Sequence, residues 1–461
     1  MKSFSVHDRQ KNILNLEKEK FDLVIIGGGI NGAGVARDAA LRGMKVALIE
    51  SSDFASGTSS RSSKLIHGGI RYLENLEFHL VFEALSERSL LFEIAPHLVH
   101  HLRFLIPLYK SGRVGMFAMG LGMWLYDALA LFQAPELHER LNVFETKQRF
   151  PLLQDQDLLG SYVYSDGYMD DDRLVIETLR SANQNEACCV NYVKAISAEF
   201  SNDGKVKSIT AVDQISKKKF QISGRHFLST VGPWTDQVAS QLFKDWKDIL
   251  RPTKGVHLTF EKKRFPLQSA VVMGTEKRIV FGIPRHEMVL IGTTDTDFSG
   301  DPADVVTTEE DVRYLLSVSE KYFPGAKLKK EDIVSSYAGV RPLVKDDSES
   351  EGKTSREHTI FTEPYGVTFV AGGKYTTYRL IAKQAVQEIL KHFPIEDRIR
   401  FAKCVTDQPI NPLITSDSFS LRGNIVSEVC KTTTLSDEQA SQFVDRHGEE
   451  ARVMIQKYGL D

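Results

Sequence analysis

The chain has 461 residues, 42% of them hydrophobic and 26% charged, with a formal net charge of -3. At roughly 100–200 residues per domain this is a globular protein of two to three domains, large enough to bury a core without disulfide or metal staples. The charge balance argues against a dedicated nucleic-acid binder, which carries a basic excess. The four cysteines, Cys188, Cys189, Cys404 and Cys430, make no CxxC pair, so no zinc or iron–sulfur site is expected and a reducing compartment fits.

Residues 1–20 are polar and mixed in charge, without an apolar h-region, so a cytosolic chain is expected. Residues 21–26 (FDLVII) read as a short apolar strand, residues 32–42 as an alanine-rich helix, and residues 45–50 (KVALIE) as a second strand. Short loops between them imply a parallel βαβ unit. Between the first strand and the helix lies Gly27-Gly28-Gly29-Ile30-Asn31-Gly32, which satisfies GxGxxG at Gly27, Gly29 and Gly32. The first glycine makes the tight turn, the second admits the pyrophosphate, and the third lets helix and strand pack closely. The helix start at Ile30 and Asn31 offers N–H groups and a positive dipole end to phosphates. Glu50, closing the second strand, stands where a ribose-binding carboxylate belongs and would repel a 2′-phosphate.

A run of small hydroxyl residues follows, SSDFASGTSSR over residues 51–61. Ser51, Thr58, Ser59 and Ser60 can bond phosphate oxygens, and Ser63, Lys64, His67, Gly68 and Gly69 extend the pattern. An NAD dehydrogenase would normally continue with further βα units, so the run favours FAD. Residues 74–92 read as a helix, and residues 96–152 as helical and irregular. Within them residues 114–132 (VGMFAMGLGMWLYDALALF) approach the roughly 20 apolar residues that span a bilayer. Asp127 and three glycines argue against spanning, leaving a buried helix or one lying on a membrane surface.

Alternating patterns return over residues 192–230, with a hairpin signal at Asn202-Asp203-Gly204. This stretch and the turn after it, residues 231–234 (VGPW), are expected to bring Val193, Gly232 and Trp234 toward the cofactor. Residues 251–341 read mostly as strands of an antiparallel sheet, interrupted by a helix at residues 309–322. A charged, serine-rich loop spans residues 345–356. Residues 366–379 (GVTFVAGGKYTTYR) then read as strand, turn and helix. Gly373 lets backbone pass close to a flavin ring, and Thr376 and Thr377 start a helix whose dipole favours negative charge there.

The expected fold is mixed α/β. A Rossmann-type FAD-binding domain (residues 21–95, 160–250 and 357–396) follows the N-terminal segment 1–20. A helical insertion (96–159) with a possible membrane-surface element, an antiparallel substrate domain (251–356) and a short helical C-terminal region (397–461) complete it.

The run GTSSRSSKLIHGGIRYLE from Gly57 to Glu74 resembles the FAD-dependent glycerol-3-phosphate dehydrogenases, within the D-amino-acid-oxidase-like flavoenzymes. Further matches are Asp171-Asp172-Arg173-Leu174, Gly232-Pro233-Trp234, Ile291-Gly292-Thr293-Thr294-Asp295, Gly339-Val340-Arg341-Pro342 and Gly373-Lys374-Tyr375-Thr376-Thr377-Tyr378-Arg379. The likeness runs from about residue 21 to about residue 390.

The resemblance implies oxidation of sn-glycerol 3-phosphate to dihydroxyacetone phosphate, with a hydride passed to FAD and electrons to a quinone. It implies a peripheral protein at the inner face of the cell membrane, with a homodimer possible. An oxidase that uses oxygen is the alternative, and a non-catalytic flavin-binding protein the alternative of another class. It casts His257 as proton acceptor with His67 as rival. Arg341 and Arg71 hold the phosphate, Lys374 aids either site, and Tyr72 and Arg356 complete the substrate set.

Read as residues alone, His257 also fits a structural histidine, and Arg71 and Arg341 fit ordinary salt-bridge partners. Asp172 and Arg173 read as a helix cap and an ion pair. The chain departs from the family at residues 228–231 (LSTV), where an asparagine and an alanine are common. Its C-terminal helical stretch is shorter than that of bacterial members, and it has no EF-hand loop.

Overall fold

The computed structural model describes residues 4–243, 245–275, 278–345 and 358–459. Strand Lys20–Ile26 is buried at nearly every position after Lys20 because it has a parallel neighbour on each side, Val46–Ile49 and Lys219–Ser229. A strand covered on both faces reads as a continuous apolar run rather than an alternation, which is what FDLVII shows. The sheet order is Thr359–Thr362, Val367–Ala371, Lys219–Ser229, Lys20–Ile26, Val46–Ile49, Cys188–Val190. Only its edge pair Thr359–Thr362 and Val367–Ala371 runs antiparallel along this path. Strands Val193–Phe200 and Val206–Asp213 form the expected hairpin and extend from Lys219–Ser229.

Helices Ile30–Leu41, Asp171–Gln184 and Tyr378–Leu390 share one apolar core with this sheet. Small side chains at Ala33, Ala36 and Ala39 leave room for that close packing.

The second sheet is larger and mostly antiparallel. Its order is Thr296–Asp297, Leu250–Glu261, Met288–Gly292, Ile279–Arg285, Ala270–Gly274, Val99–Tyr109, Leu158–Met169, Leu65–Ile66. Strand Ile333–Val344 pairs along almost the whole of Leu250–Glu261, which places Arg341 opposite Thr253. Helix Glu309–Tyr322 packs on this sheet, its start closed by a capping box between Thr308 and Asp311 and by Lys254 Nζ at 2.6 Å from Asp311.

Residues 96–152 differ from the sequence expectation. Val99–Tyr109 is an eleven-residue strand, paired antiparallel with Leu158–Met169. It carries Pro107 and a run of buried apolar residues, and periodicity alone does not separate such a run from a buried helix. The long-range pairing decides it. The boundary expected at residue 160 falls inside Leu158–Met169, a strand of the second sheet. Helices remain at Met116–Leu129 and Val143–Arg149.

Helix Met116–Leu129 has its polarity reversed. It buries Met123, Tyr126 and Asp127 and exposes Phe117 (81%), Leu121 and Trp124 (58%), with Leu131 and Phe132 exposed just beyond it. Asp127 accepts from His138 Nδ1 at 2.7 Å and from the His138 backbone at 3.2 Å. Tyr126 donates to Asp166, which also pairs with Arg88 at 2.6 Å; Arg88 is 0% exposed and Asp166 1%. Breaking a buried pair of this kind by removing one partner costs about 3–5 kcal/mol. Among the described residues no helix is long and apolar enough to cross a membrane.

The C-terminal helices Arg422–Thr432, Asp437–His447 and Glu450–Tyr458 have a small core of their own, with Ile425, Val429 and Val444 in it. Arg446 binds Asp172 at 2.7 Å and Arg180 binds Glu450 at 2.8 Å, holding them to helix Asp171–Gln184.

Burial lowers His97, His226 and His257 to about 3, so the folded chain keeps all three neutral near neutral pH. The unfolded chain takes up these protons as pH falls below about 6.5, so each group removes up to about 1.4 kcal/mol of stability per pH unit from there down toward 3. Thermal unfolding is therefore expected several degrees lower at about pH 5 than at about pH 7 when followed by calorimetry. A Tm that rises over that window would contradict it.

Candidate active site

A cavity of about 1300 Å³ lies where the two sheets meet. Sites for drug-sized ligands are about 300–1,000 Å³, so this one has room for a dinucleotide and a small substrate together. One end is formed by the loop after strand Lys20–Ile26. Gly27 has φ +111°, and a Cβ on Gly32 would stand 2.0 Å from the Gly27 carbonyl oxygen. Only a side chain of one hydrogen permits that approach, which brings the start of helix Ile30–Leu41 down onto the strand end.

Gly27, Gly29, Ile30 and Asn31 line the cavity, while Gly32 lies behind them. Glu50 also lines it and accepts from the Gly28 N–H at 2.7 Å and the Ser52 N–H at 2.8 Å. The carboxylate is thus fixed beside the glycine loop, where ribose hydroxyls would reach it. A bare backbone cradle, an adjacent helix start and this acid together fit a dinucleotide.

The hydroxyl run divides. Ser51, Thr58, Ser59 and Ser63 line the cavity. Ser59 Oγ accepts from the Ile30 N–H at 3.0 Å, and Thr58 donates to the Val340 carbonyl at 2.6 Å, tying the run to the strand that carries Arg341. Ser60 and Lys64 do not reach the wall; Lys64 Nζ turns to Asp171 at 2.6 Å and to the Ser60 carbonyl. Asp171 also receives Ser62 Oγ and the Asp172 N–H, so it organises a helix start. The later segments bring Val193, Gly232, Trp234, Gly373, Lys374 and Thr376 to the wall. Thr377 stays behind, donating to the Lys374 carbonyl.

The same cavity is lined by His67, Gly69, Arg71, Tyr72, His257, Arg341 and Lys374. Gly68 is packed inside the loop instead. Lys374 Nζ stands 3.9 Å from the centre of the Tyr72 ring. Arg341 holds Asp295 at 3.2 Å, Thr293 Oγ1 at 2.8 Å and the Thr294 carbonyl at 3.2 Å, which orients one edge of its guanidinium. Arg356 lies outside the described residues.

His257 is 2% exposed, stacked on Tyr337 at 4.8 Å between ring centres. Its Nε2 is 2.8 Å from Ser63 Oγ, and its buried Nδ1 has no hydrogen-bond partner among the described residues. Burial first, then Arg341 and Lys64, lowers it to about 3. It is a neutral imidazole at neutral pH, with its Nδ1 unpartnered among the described residues.

Sequence reasoning did not assign Arg61, Arg278 or Asp295, all of which line the cavity. Arg61 closes the hydroxyl run, and its position there was its only local signal. Asp295 lay in a turn that also fitted a role in shaping the sheet; its link to Arg341 spans 46 residues and exists only in the folded chain.

Residues 22–379 match the family described as FAD dependent oxidoreductase. The chain is 39% identical over 406 residues to the aerobic glycerol-3-phosphate dehydrogenase of Staphylococcus saprophyticus, spanning 88% of this chain and 73% of that protein. Among solved structures, it is similar to the glycerol-3-phosphate dehydrogenase of Bacillus halodurans complexed with FAD. That match has a TM-score of 0.77 and 29% identity over 99% of this chain and 84% of the other. The L-α-glycerophosphate oxidase of Mycoplasma pneumoniae, at 19% identity and a TM-score of 0.61 over 80% of this chain and 95% of the other, shares the fold.

The Gly27–Gly32 approach yields a prediction. Gly32→Ala drives a methyl into the Gly27 carbonyl, and overpacking of this kind costs about 1–3 kcal/mol. The variant is expected to purify with much less flavin per polypeptide, read from the ratio of visible to ultraviolet absorbance. Full flavin content would show that the loop tolerates displacement.

Proposed function

Because the chain belongs to the FAD-dependent oxidoreductase family and, within it, to the aerobic glycerol-3-phosphate dehydrogenases, we propose that it oxidises sn-glycerol 3-phosphate to dihydroxyacetone phosphate. The observation that carries this reading is one continuous cavity. A dinucleotide cradle and a neutral histidine with Arg71, Arg341 and Lys374 line the same space. Three cations suit a phosphate dianion better than a single carboxylate.

FAD, when held by the glycine loop and Glu50, would supply the hydride acceptor. The chain's own residues manage the proton and the phosphate. His257 takes the proton of the alcohol, with Ser63 Oγ 2.8 Å from its Nε2 at the cavity wall. A base near 3 is weak for this at neutral pH, because the best catalytic pKa lies near the working pH. A phosphate dianion beside Arg341 offsets the cation that helps depress His257, so substrate binding strengthens the base it needs. His67 is the rival base. Arg341, steadied by Asp295 and Thr293, holds the phosphate together with Arg71; Lys374, Tyr72 and Arg356 complete the substrate set.

For the electron acceptor we favour a quinone. The exposed apolar face of helix Met116–Leu129, with Trp124 and Phe117 outermost, supports placement on the inner surface of the cell membrane. Use of oxygen with release of peroxide is the competing reading. Rapid turnover with oxygen and none with a soluble quinone analogue would select it.

Anaerobic addition of sn-glycerol 3-phosphate to the purified flavoprotein is expected to bleach the visible flavin spectrum. A flavin that stays oxidised would refute the substrate. Arg341→Ala is expected to raise KM and lower kcat, with kcat/KM down about 10- to 100-fold for one lost charge-assisted interaction, while FAD content is kept. Unchanged turnover would remove Arg341 from the phosphate site. In single-turnover mixing, His257→Ala is expected to slow flavin reduction. An unchanged rate would move the base role to His67.

A further inference from the structure

Helix Met116–Leu129 reaches the loop behind the cavity wall through one buried polar side chain. Tyr126, 2% exposed, donates to both Asp166 oxygens, at 2.9 and 2.8 Å. Its hydroxyl oxygen accepts from the Gly68 N–H at 3.1 Å, and Asp166 Oδ1 shares that N–H at 3.2 Å. Arg88 closes the cluster by donating to Asp166 and to the Ser165 carbonyl at 2.9 Å. Burial first, then the Asp166 carboxylate, raises the Tyr126 hydroxyl well above the ordinary tyrosine value, so it remains a donor.

Gly68 is the middle residue of a loop gripped from both sides. On the far side, Thr376 Oγ1 accepts from the His67 N–H at 3.2 Å and lies 3.4 Å from the His67 carbonyl. A Cβ on Gly68 would stand 2.4 Å from Leu85 and 2.5 Å from the Tyr126 oxygen, so the loop lies flush against both. The next residue, Gly69, has φ +74° and opens the turn Ile70–Asn75 that carries Arg71 and Tyr72. His67, Arg71 and Tyr72 line the cavity; Tyr126, Asp166 and Arg88 do not.

We propose that Tyr126 and Asp166, anchored by Arg88, are positioning residues that set how the 67–72 segment presents His67 and Arg71 to the cavity. They act through the Gly68 N–H and touch neither substrate nor cofactor. The proposal rests on the reading of the cavity as a flavin and glycerol phosphate site. It extends that reading to a link between the apolar surface helix and the catalytic loop.

The test compares the FAD-loaded full-length chain with Tyr126→Phe, which removes one oxygen and keeps the packed ring. Two readouts are taken anaerobically: the resting flavin absorption spectrum, and the rate of flavin reduction after rapid mixing with sn-glycerol 3-phosphate. The variant is expected to show a shifted flavin band and reduction slowed about five- to tenfold, a loss of positioning worth about one buried hydrogen bond, with FAD content near that of the parent. Asp166→Asn is expected to act in the same direction. If that variant does not fold, Tyr126→Phe decides alone. An unchanged spectrum and an unchanged rate in folded Tyr126→Phe would overturn the proposal. A shifted band in Tyr126→Phe with a parent flavin that ignores the substrate would support the positioning role and refute the substrate assignment instead.

Discussion

The carbonyl of Gly27 occupies the space that any side chain on Gly32 would need, and the rest of the site is arranged around that contact. It seats the first turn of helix Ile30–Leu41 on the end of strand Lys20–Ile26. Thr230, at the end of Lys219–Ser229, donates to the carbonyls of Ile26 and Gly27 from the other side. Glu50, at the end of the third parallel strand, ties back to Gly28. Three strand ends and one helix start thus converge on a patch of bare backbone, the arrangement a pyrophosphate needs.

The second sheet supplies what bare backbone cannot, which is charge and a proton acceptor. Its two longest neighbouring strands place His257 and Arg341 on the same wall. Their proximity has a cost, because a protonated His257 would lie in a dry site beside a guanidinium. The chain meets this by keeping the imidazole neutral and by pairing Arg341 with Asp295. A bound dianion changes that balance in the direction that favours proton uptake.

Much of this was legible in the sequence, and the reason differs by element. The βαβ unit was plain because its glycine spacing, apolar strands and terminal acid are local and mutually reinforcing. Helix Glu309–Tyr322 was equally plain, with its cap and its apolar period in one stretch. Strand Val99–Tyr109 was not, since its partner begins at Leu158 and no local period announces it. Helix Met116–Leu129 carried mixed signals for a physical reason: its acid is inside and its tryptophan outside. At the site, residues in glycine-rich turns stood out, whereas Asp295 and the Tyr126–Asp166–Gly68 contact depend on segments joined only by folding. Gly32, Ser60, Lys64, Gly68 and Thr377 show the converse. They sit within motif runs beside the cavity, yet they pack behind its wall.

The chain order of the first sheet bears on how the protein is made. Strand Val367–Ala371 lies against Lys219–Ser229, and Gly373 and Thr376 close the cavity beside a loop synthesised near the beginning. A ribosome therefore extrudes the glycine loop well before its opposing wall. From the emergence of Lys219–Ser229 until Val367–Ala371 follows, that strand has an uncovered edge, a state prone to wrong partners. The cavity wall is complete only once the returning segment seals that edge.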